Sequence, residues 1–347
     1  MNMRPVSPRV LILALAMLSG AARAEDPPSP AAAPSEPAAA ASVPATSPAA
    51  TPPEPPRDRR VLNGHAFLPS SIEAPIAVSS FGLEVGFTAA SATGPTYRLN
   101  GDPTGETRTY SWGGMGQAIR FQTAFLDQLV IRGAITTSLA SGIDGWSALV
   151  VGTSVQAGVG LGAEWSTPVG QSVRLGVSFD VDSAPQLNLL VAAAIFDAIK
   201  SGAAEPAGAL EVGNVLTALP ALSLGWAPTP AFGLAARVGY LFSSVDAGDY
   251  GTFTRQGVGL GLAADADFDK LWKVPMGVGL TYAETIPTDG TPAGIRNLAL
   301  AIMYTGKKDV VVGATLGERI LNIRPQYDVP LKSSSQYLDV ILRIYWP

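Results

Sequence analysis

From Tyr337 to Trp346 the chain alternates without a break: Leu338, Val340, Leu342, Ile344 and Trp346 interleave with Tyr337, Asp339, Ile341, Arg343 and Tyr345. Successive side chains of a strand point to opposite faces, so this run sets a wholly apolar face against one that holds a carboxylate and a guanidinium. It closes on an aromatic residue, and five other runs do the same just before a short turn, at Phe121, Trp165, Trp226, Phe268 and Tyr304. An apolar outer face, a polar inner face and an aromatic at one interface are what a strand needs when one side meets lipid.

The pattern recurs along the chain. Phe81, Leu83, Val85 and Phe87 interleave with Gly82, Glu84 and Gly86; Val173, Leu175, Val177, Phe179 and Val181 with Arg174, Gly176, Ser178 and Asp180; Val258, Leu260 and Leu262 with Gly257, Gly259 and Gly261. About twelve strands are expected, near 77–90, 108–122, 127–139, 157–166, 171–183, 218–227, 231–244, 255–268, 274–286, 295–305, 309–319 and 335–346. The second has the least regular pattern, because Gln117 falls on its apolar face. Connections alternate in length, five short and six long, the long ones at 91–107, 140–156, 184–217, 245–254, 287–294 and 320–334. That alternation predicts an all-β fold, a closed antiparallel transmembrane barrel of about twelve strands over 76–347. Both termini fall at the short-turn end, where the six aromatics would form a girdle. A soluble sheet would carry polar residues and edge lysines on its open face. Here the alternate face is Gly, Ala, Ser or a single charge, and all six lysines lie outside the expected strands.

What precedes the barrel is of a different kind. Arg4 and Arg9 lead into the apolar stretch Val10 to Leu18, and Ala22-Arg23-Ala24 makes a small-x-small site, so residues 1–24 read as a secretory signal peptide. Residues 25–60 are mostly Ala, Pro and Ser and cannot bury a core; they are expected to be a disordered leader. Residues 61–75 form a lead-in, whose His65 is the only histidine of the chain and is expected to be an exposed linker residue. Loss of residues 1–24 leaves 20 basic against 28 acidic residues, a formal charge of −8 that argues against a nucleic-acid partner. Cysteine is absent, so there is no disulfide, no thiolate metal site and no cysteine nucleophile. No base stands where membrane hydrolysis would need one, and the GxGxG strings alternate within a strand and open no helix. Neither enzyme activity nor a cofactor is expected.

The inward parity is small, with Gly160, Gly162, Gly257, Gly259, Gly261, Gly277, Gly279, Gly313 and Gly317 on it, so a barrel of this size has room inside. Its charges are mixed: Glu84, Arg120, Arg132, Glu164, Arg174, Asp180, Asp182, Arg237, Asp265, Asp267, Asp339 and Arg343, a pattern of salt-bridge networks in a wet lumen. Two loops carry helical signals. In 184–217, Leu187, Leu190, Val191, Ala194, Ile195, Ala198 and Ile199 recur at one helix face, with Phe196 beside them; in 140–156, Asp144 can cap a short helix bearing Trp146, Leu149 and Val150. Trp146, Leu190, Ile195 and Phe196 are the candidate plug or gate.

With these features the chain resembles the bacterial outer-membrane β-barrel proteins over about residues 76–347. Its last strand resembles their C-terminal targeting signal, although Pro347 follows the final aromatic. The resemblance implies a Gram-negative outer-membrane location, lipid on the outer wall, and barrel-assembly machinery as a partner through the last strand. The function expected is porin-like, passive passage of small solutes, hydrophobic ones among them, through a loop-gated lumen. The alternative is a structural or surface-interaction barrel closed by its own loops.

Overall fold

A strand that is apolar on one face and polar on the other must be paired on both edges before lipid can accept it, since lipid offers nothing to a free N–H or C=O. The computed structural model satisfies this by closure. It describes residues 61–97, 103–125, 127–144, 147–148, 152–189, 210–246, 252–289, 294–323 and 331–346. Two short strands, β1 (Val61–Leu62) and β2 (His65–Ala66), precede the wall. The wall consists of β3 (Ser79–Tyr97), β4 (Pro103–Ala124), β5 (Leu129–Gly142), β6 (Thr153–Pro168), β7 (Val173–Leu189), β8 (Leu210–Thr229), β9 (Phe232–Asp246), β10 (Thr252–Asp267), β11 (Met276–Pro287), β12 (Ile295–Lys307), β13 (Val310–Ile323) and β14 (Leu331–Trp346). Each of these pairs antiparallel with its chain neighbours, and β14 closes on β3 from Lys332↔Thr93 to Trp346↔Ser79.

Most strands run past the expected limits at the long-loop end. There the outward residues turn polar, at Gln256, Glu284, Arg296, Glu318 and Gln336, yet the ladder continues through them. Backbone pairing needs no apolar face, so the periodicity marks the lipid-facing length of a strand, not the whole strand.

Three expectations are corrected. The helical period read over 184–217 begins inside a strand: Leu187 pairs with Val212 and Leu189 with Leu210. A ladder that is already zipped adds each further pair at little ordering cost, and this overrides a weak helical pattern. Leu190, Ile195 and Phe196 lie outside the described residues. Phe268 does not end a strand; it opens a five-residue helix, α1 (Phe268–Trp272), whose N-cap Asp267 accepts a bond from the Asp269 N–H. The lead-in is the third, and it is placed below. In 140–156 the Asp144 cap forms as read, accepting from the Ser147 N–H at 2.8 Å, while Trp146 lies outside the described residues.

Candidate functional site: a plugged lumen

The wall sorts its residues by parity. Leu83, Ile119, Val159, Leu222, Leu262, Leu280, Ile302 and Leu316 are exposed on the outside. Phe121, Trp165, Trp226, Tyr304 and Trp346 are exposed at the short-turn end, and Trp272 of α1 joins them at 68%. Trp272 follows Phe268 by one helical turn and their rings meet at a tilt with centroids 5.0 Å apart, so the helix puts two aromatics where a strand end would put one. This chain is an outer-membrane-type β-barrel. No family model matches it, and no curated protein matches it by sequence.

Inside the barrel, the short-turn half of the lumen is crossed by the chain itself. Residues 61–78 enter as a hairpin, β1 and β2 joined by Asn63 (φ 51°) and Gly64 (φ 80°), both left-handed as a tight two-residue turn requires. The segment then runs along the wall to Ser79. Leu68 packs against Ala301, Met303 and Val311, and Ile72 against Ala235 and Ala263. The inward glycines face it: a Cβ at Gly233 would collide with His65, at Gly261 with Ile72, at Gly277 with Leu68 and at Gly176 with Pro75. The room read from the sequence is real here, and the lead-in fills it.

His65 is therefore not a linker residue. It is fully buried, with Nε2 at 2.5 Å from Asp265 Oδ1 and Nδ1 at 3.2 Å from the Pro230 carbonyl. The Nδ1 contact is with a backbone carbonyl and the Nε2 contact with a carboxylate. Both ring nitrogens are engaged in fastening the segment to β10 and the β8–β9 turn, which leaves the imidazole no base to offer. The signal that would have revealed this is Asn63-Gly64, the strongest short hairpin signature, seated between Val61-Leu62 and His65-Ala66.

The far anchor is ionic. Arg343 Nη1 donates to Glu73 Oε1 at 2.6 Å. Burial works to raise the Glu73 carboxyl, but Arg343, with Arg132 and Arg120 behind it, outweighs burial and holds the carboxyl below its usual range.

The other inward charges form a network on neighbouring strands. Arg132 grips Asp180 with two bonds of 2.8 Å and Glu164 with a third of 2.8 Å. Ser223 donates to Glu164 at 2.9 Å, and Arg237 donates to Asp180 and to Ser178. Arg120 pairs with Glu84 at 3.2 Å. Arg174 sits at the short-turn rim, donating to Ser166 and to the Asp127 carbonyl, and Asp267 is taken up in capping α1. Several glycines exist for these carboxylates: the side chains of Asp180, Asp182 and Asp339 lie over Gly162, Gly160 and Gly86 on the adjacent strand, where a Cβ would strike them.

The segment divides the lumen into two chambers. Towards the long loops lies one of about 310 Å³, bordered by Glu84, Arg120, Asp182, Tyr337 and Asp339. Towards the short turns lies one of about 410 Å³, bordered by Val61, Phe67, Lys270, Lys307 and Lys308. Pro69, Glu73, Gln122, Arg132, Glu164 and Arg343 border both. The Glu73–Arg343 pair thus stands in the partition. Among the described residues no group of three or more His, Asp or Glu is placed to hold a metal ion.

Solved structures with a similar form include a Pseudomonas aeruginosa FadL homologue (9% identity, TM-score 0.47, covering 81% of this chain and 97% of that one). Others are the KdgM porin in complex with disordered oligogalacturonate (11%, 0.41, 76% and 99%) and the P. putida toluene transporter TodX (11%, 0.41, 79% and 92%). At this level of similarity they say nothing about what this chain carries.

Proposed function

We propose that this protein is a gated outer-membrane channel for small polar solutes, shut from the periplasmic side by its own residues 61–78. In this reading residues 1–24 direct export, the short-turn end faces the periplasm with both mature termini, and the last strand is read by the assembly machinery. The observation that carries the proposal is the partition. It is a short hairpin followed by a single run of chain, fastened by the Glu73–Arg343 ion pair, by His65 on Asp265 and the Pro230 carbonyl, by Asn63 on the Ala227 carbonyl, by Gln122 on the Val78 carbonyl and by two small apolar clusters, and it separates a chamber rich in charged groups from one of mixed lining. A wall meant only to be solid would fill its centre with large apolar side chains, whereas this one presents glycine, serine and paired charges. The charged groups of the chamber towards the long loops favour polar over hydrophobic solutes. The gate is assigned to the lead-in because that segment occupies the lumen.

The reading is tested in planar lipid bilayers by comparing the whole protein with a variant lacking residues 61–76, both first shown to be folded by heat-modifiable migration. The whole protein is expected to give small or rare conductance steps and the deletion large, frequent ones. A deletion variant that folds yet conducts no more than the parent rejects passage, and leaves a closed structural barrel.

A further inference from the structure

Two residues paired across β4 and β5 break the outer wall's rule. On β4 the outward positions run, from the short-turn end, Phe121, Ile119, Gln117, Met115 and Gly113, the last covered by the Ile143 side chain. Gln117 is the middle one. Four residue steps of strand separate it from each end of that series, about 13 Å along the strand, or about 10 Å of depth after tilt. It is exposed, flanked by Val85 on β3 and by Thr137 on β5. Thr137 itself lies between the exposed Ile135 and Leu139. Neither polar side chain has a hydrogen-bond partner among the described residues. By contrast, the outward Gln256, Glu284, Arg296, Glu318 and Gln336 all stand at the long-loop rim, where water begins.

We propose that the Gln117–Thr137 patch is the face through which two copies of this barrel associate within the membrane. Acyl chains at mid-bilayer depth have no atom that can bond a primary amide, so a lone Gln117 is left unsatisfied on lipid. An amide is both donor and acceptor. A twofold axis beside Gln117 sets it against its own counterpart, each amide giving one bond and taking one, with the Thr137 hydroxyls alongside. An unrelated barrel would have to carry a polar group at the same depth by coincidence, whereas a second copy carries it necessarily. The barrel has no free edge, so association must be side chain against side chain, and polar groups are effective glue where there is no hydrophobic drive between the partners.

The absence of cysteine makes the test direct. In the full chain, reconstituted into liposomes at increasing lipid dilution, Met115→Cys (beside Gln117) is compared with Leu262→Cys, on β10 six strands round the wall. Both positions are well exposed, at 53% and 59%. Mild oxidation is expected to give a disulfide-linked dimer from Met115→Cys and none from Leu262→Cys. Adding Gln117→Leu to Met115→Cys should weaken the association roughly tenfold. Heat-modifiable migration checks that each variant is folded. Equal linkage at the two positions, linkage indifferent to Gln117→Leu, or a monomer throughout would overturn the proposal. So would a Gln117→Leu chain that is merely more stable in lipid with its oligomeric state unchanged.

Discussion

Arg343, three residues from the end of the closing strand, donates at 2.6 Å to Glu73, which lies 270 positions earlier in a segment that belongs to no wall strand. The bond joins the lumen-crossing segment to the seam where β14 meets β3. The barrel's last strand therefore does two things at once: its even positions face lipid and one of its odd positions holds the partition in place.

Breaking that bond should loosen the partition and spare the wall. Glu73→Gln removes the charge and leaves the nearly buried Arg343 without its counter-ion, a loss of roughly 1.5–3 kcal/mol for a charged hydrogen bond. That is more than tenfold in the undocked fraction. In bilayers the variant should open more often than the parent, with unchanged heat-modifiable migration. Identical gating in the two would show that the ion pair does not hold the segment.

The pH dependence has a definite sign. Glu73 ionises more readily docked than free, so its contribution is fully present above the ordinary carboxylate value of 4.5 and is lost as pH falls through the lowered one. Docking should be insensitive to this group from neutral pH down to about 5 and should weaken only in stronger acid. Protease accessibility of residues 61–78, measured across that range, reads this out. Release between pH 7 and 5 would assign control to a different group.

Two glycines on one strand should behave oppositely. A side chain at Gly261 must displace Ile72, whereas Gly259 has nothing closer than a carbonyl oxygen at 4.0 Å. Gly261→Leu is expected to evict the segment and raise conductance, and Gly259→Ala to leave it unchanged. Equal conductance from both variants would mean that the segment is not seated on β10.

On the other face of that strand, Leu262→Arg should cost about 2–4 kcal/mol in urea-driven unfolding from lipid vesicles, as a charge placed towards the bilayer centre does. Gly259→Ser, pointing into the lumen, should cost well under 1 kcal/mol. If both are tolerated alike, the facing of β10 is reversed.

Period-two patterning made the wall legible. Leu338 to Trp346 announced their outward face because a strand's side chains alternate whatever the rest of the fold does, and lipid tolerates only one kind of face. The polar continuation of β7 to Leu189 was hidden because above the lipid the ladder persists without demanding apolar residues. Phe268 defeats the pattern because two residues of alternation do not distinguish the last step of a strand from the first turn of a helix. At Leu187 an apolar residue on the outward face of a strand imitates one face of a helix.

By itself, then, the order of residues determined a closed barrel of about twelve strands, which face meets lipid, and a roomy interior with mixed charges. These are consequences of local alternation and of the bilayer's refusal of unpaired backbone. It did not determine what fills the interior. His65, Ile72 and Glu73 show no pattern against their own neighbours in the chain. Their partners, Asp265, Gly261 and Arg343, come within reach only after twelve strands have closed into a ring, and it is that closure that turned an apparent linker into the partition of the lumen.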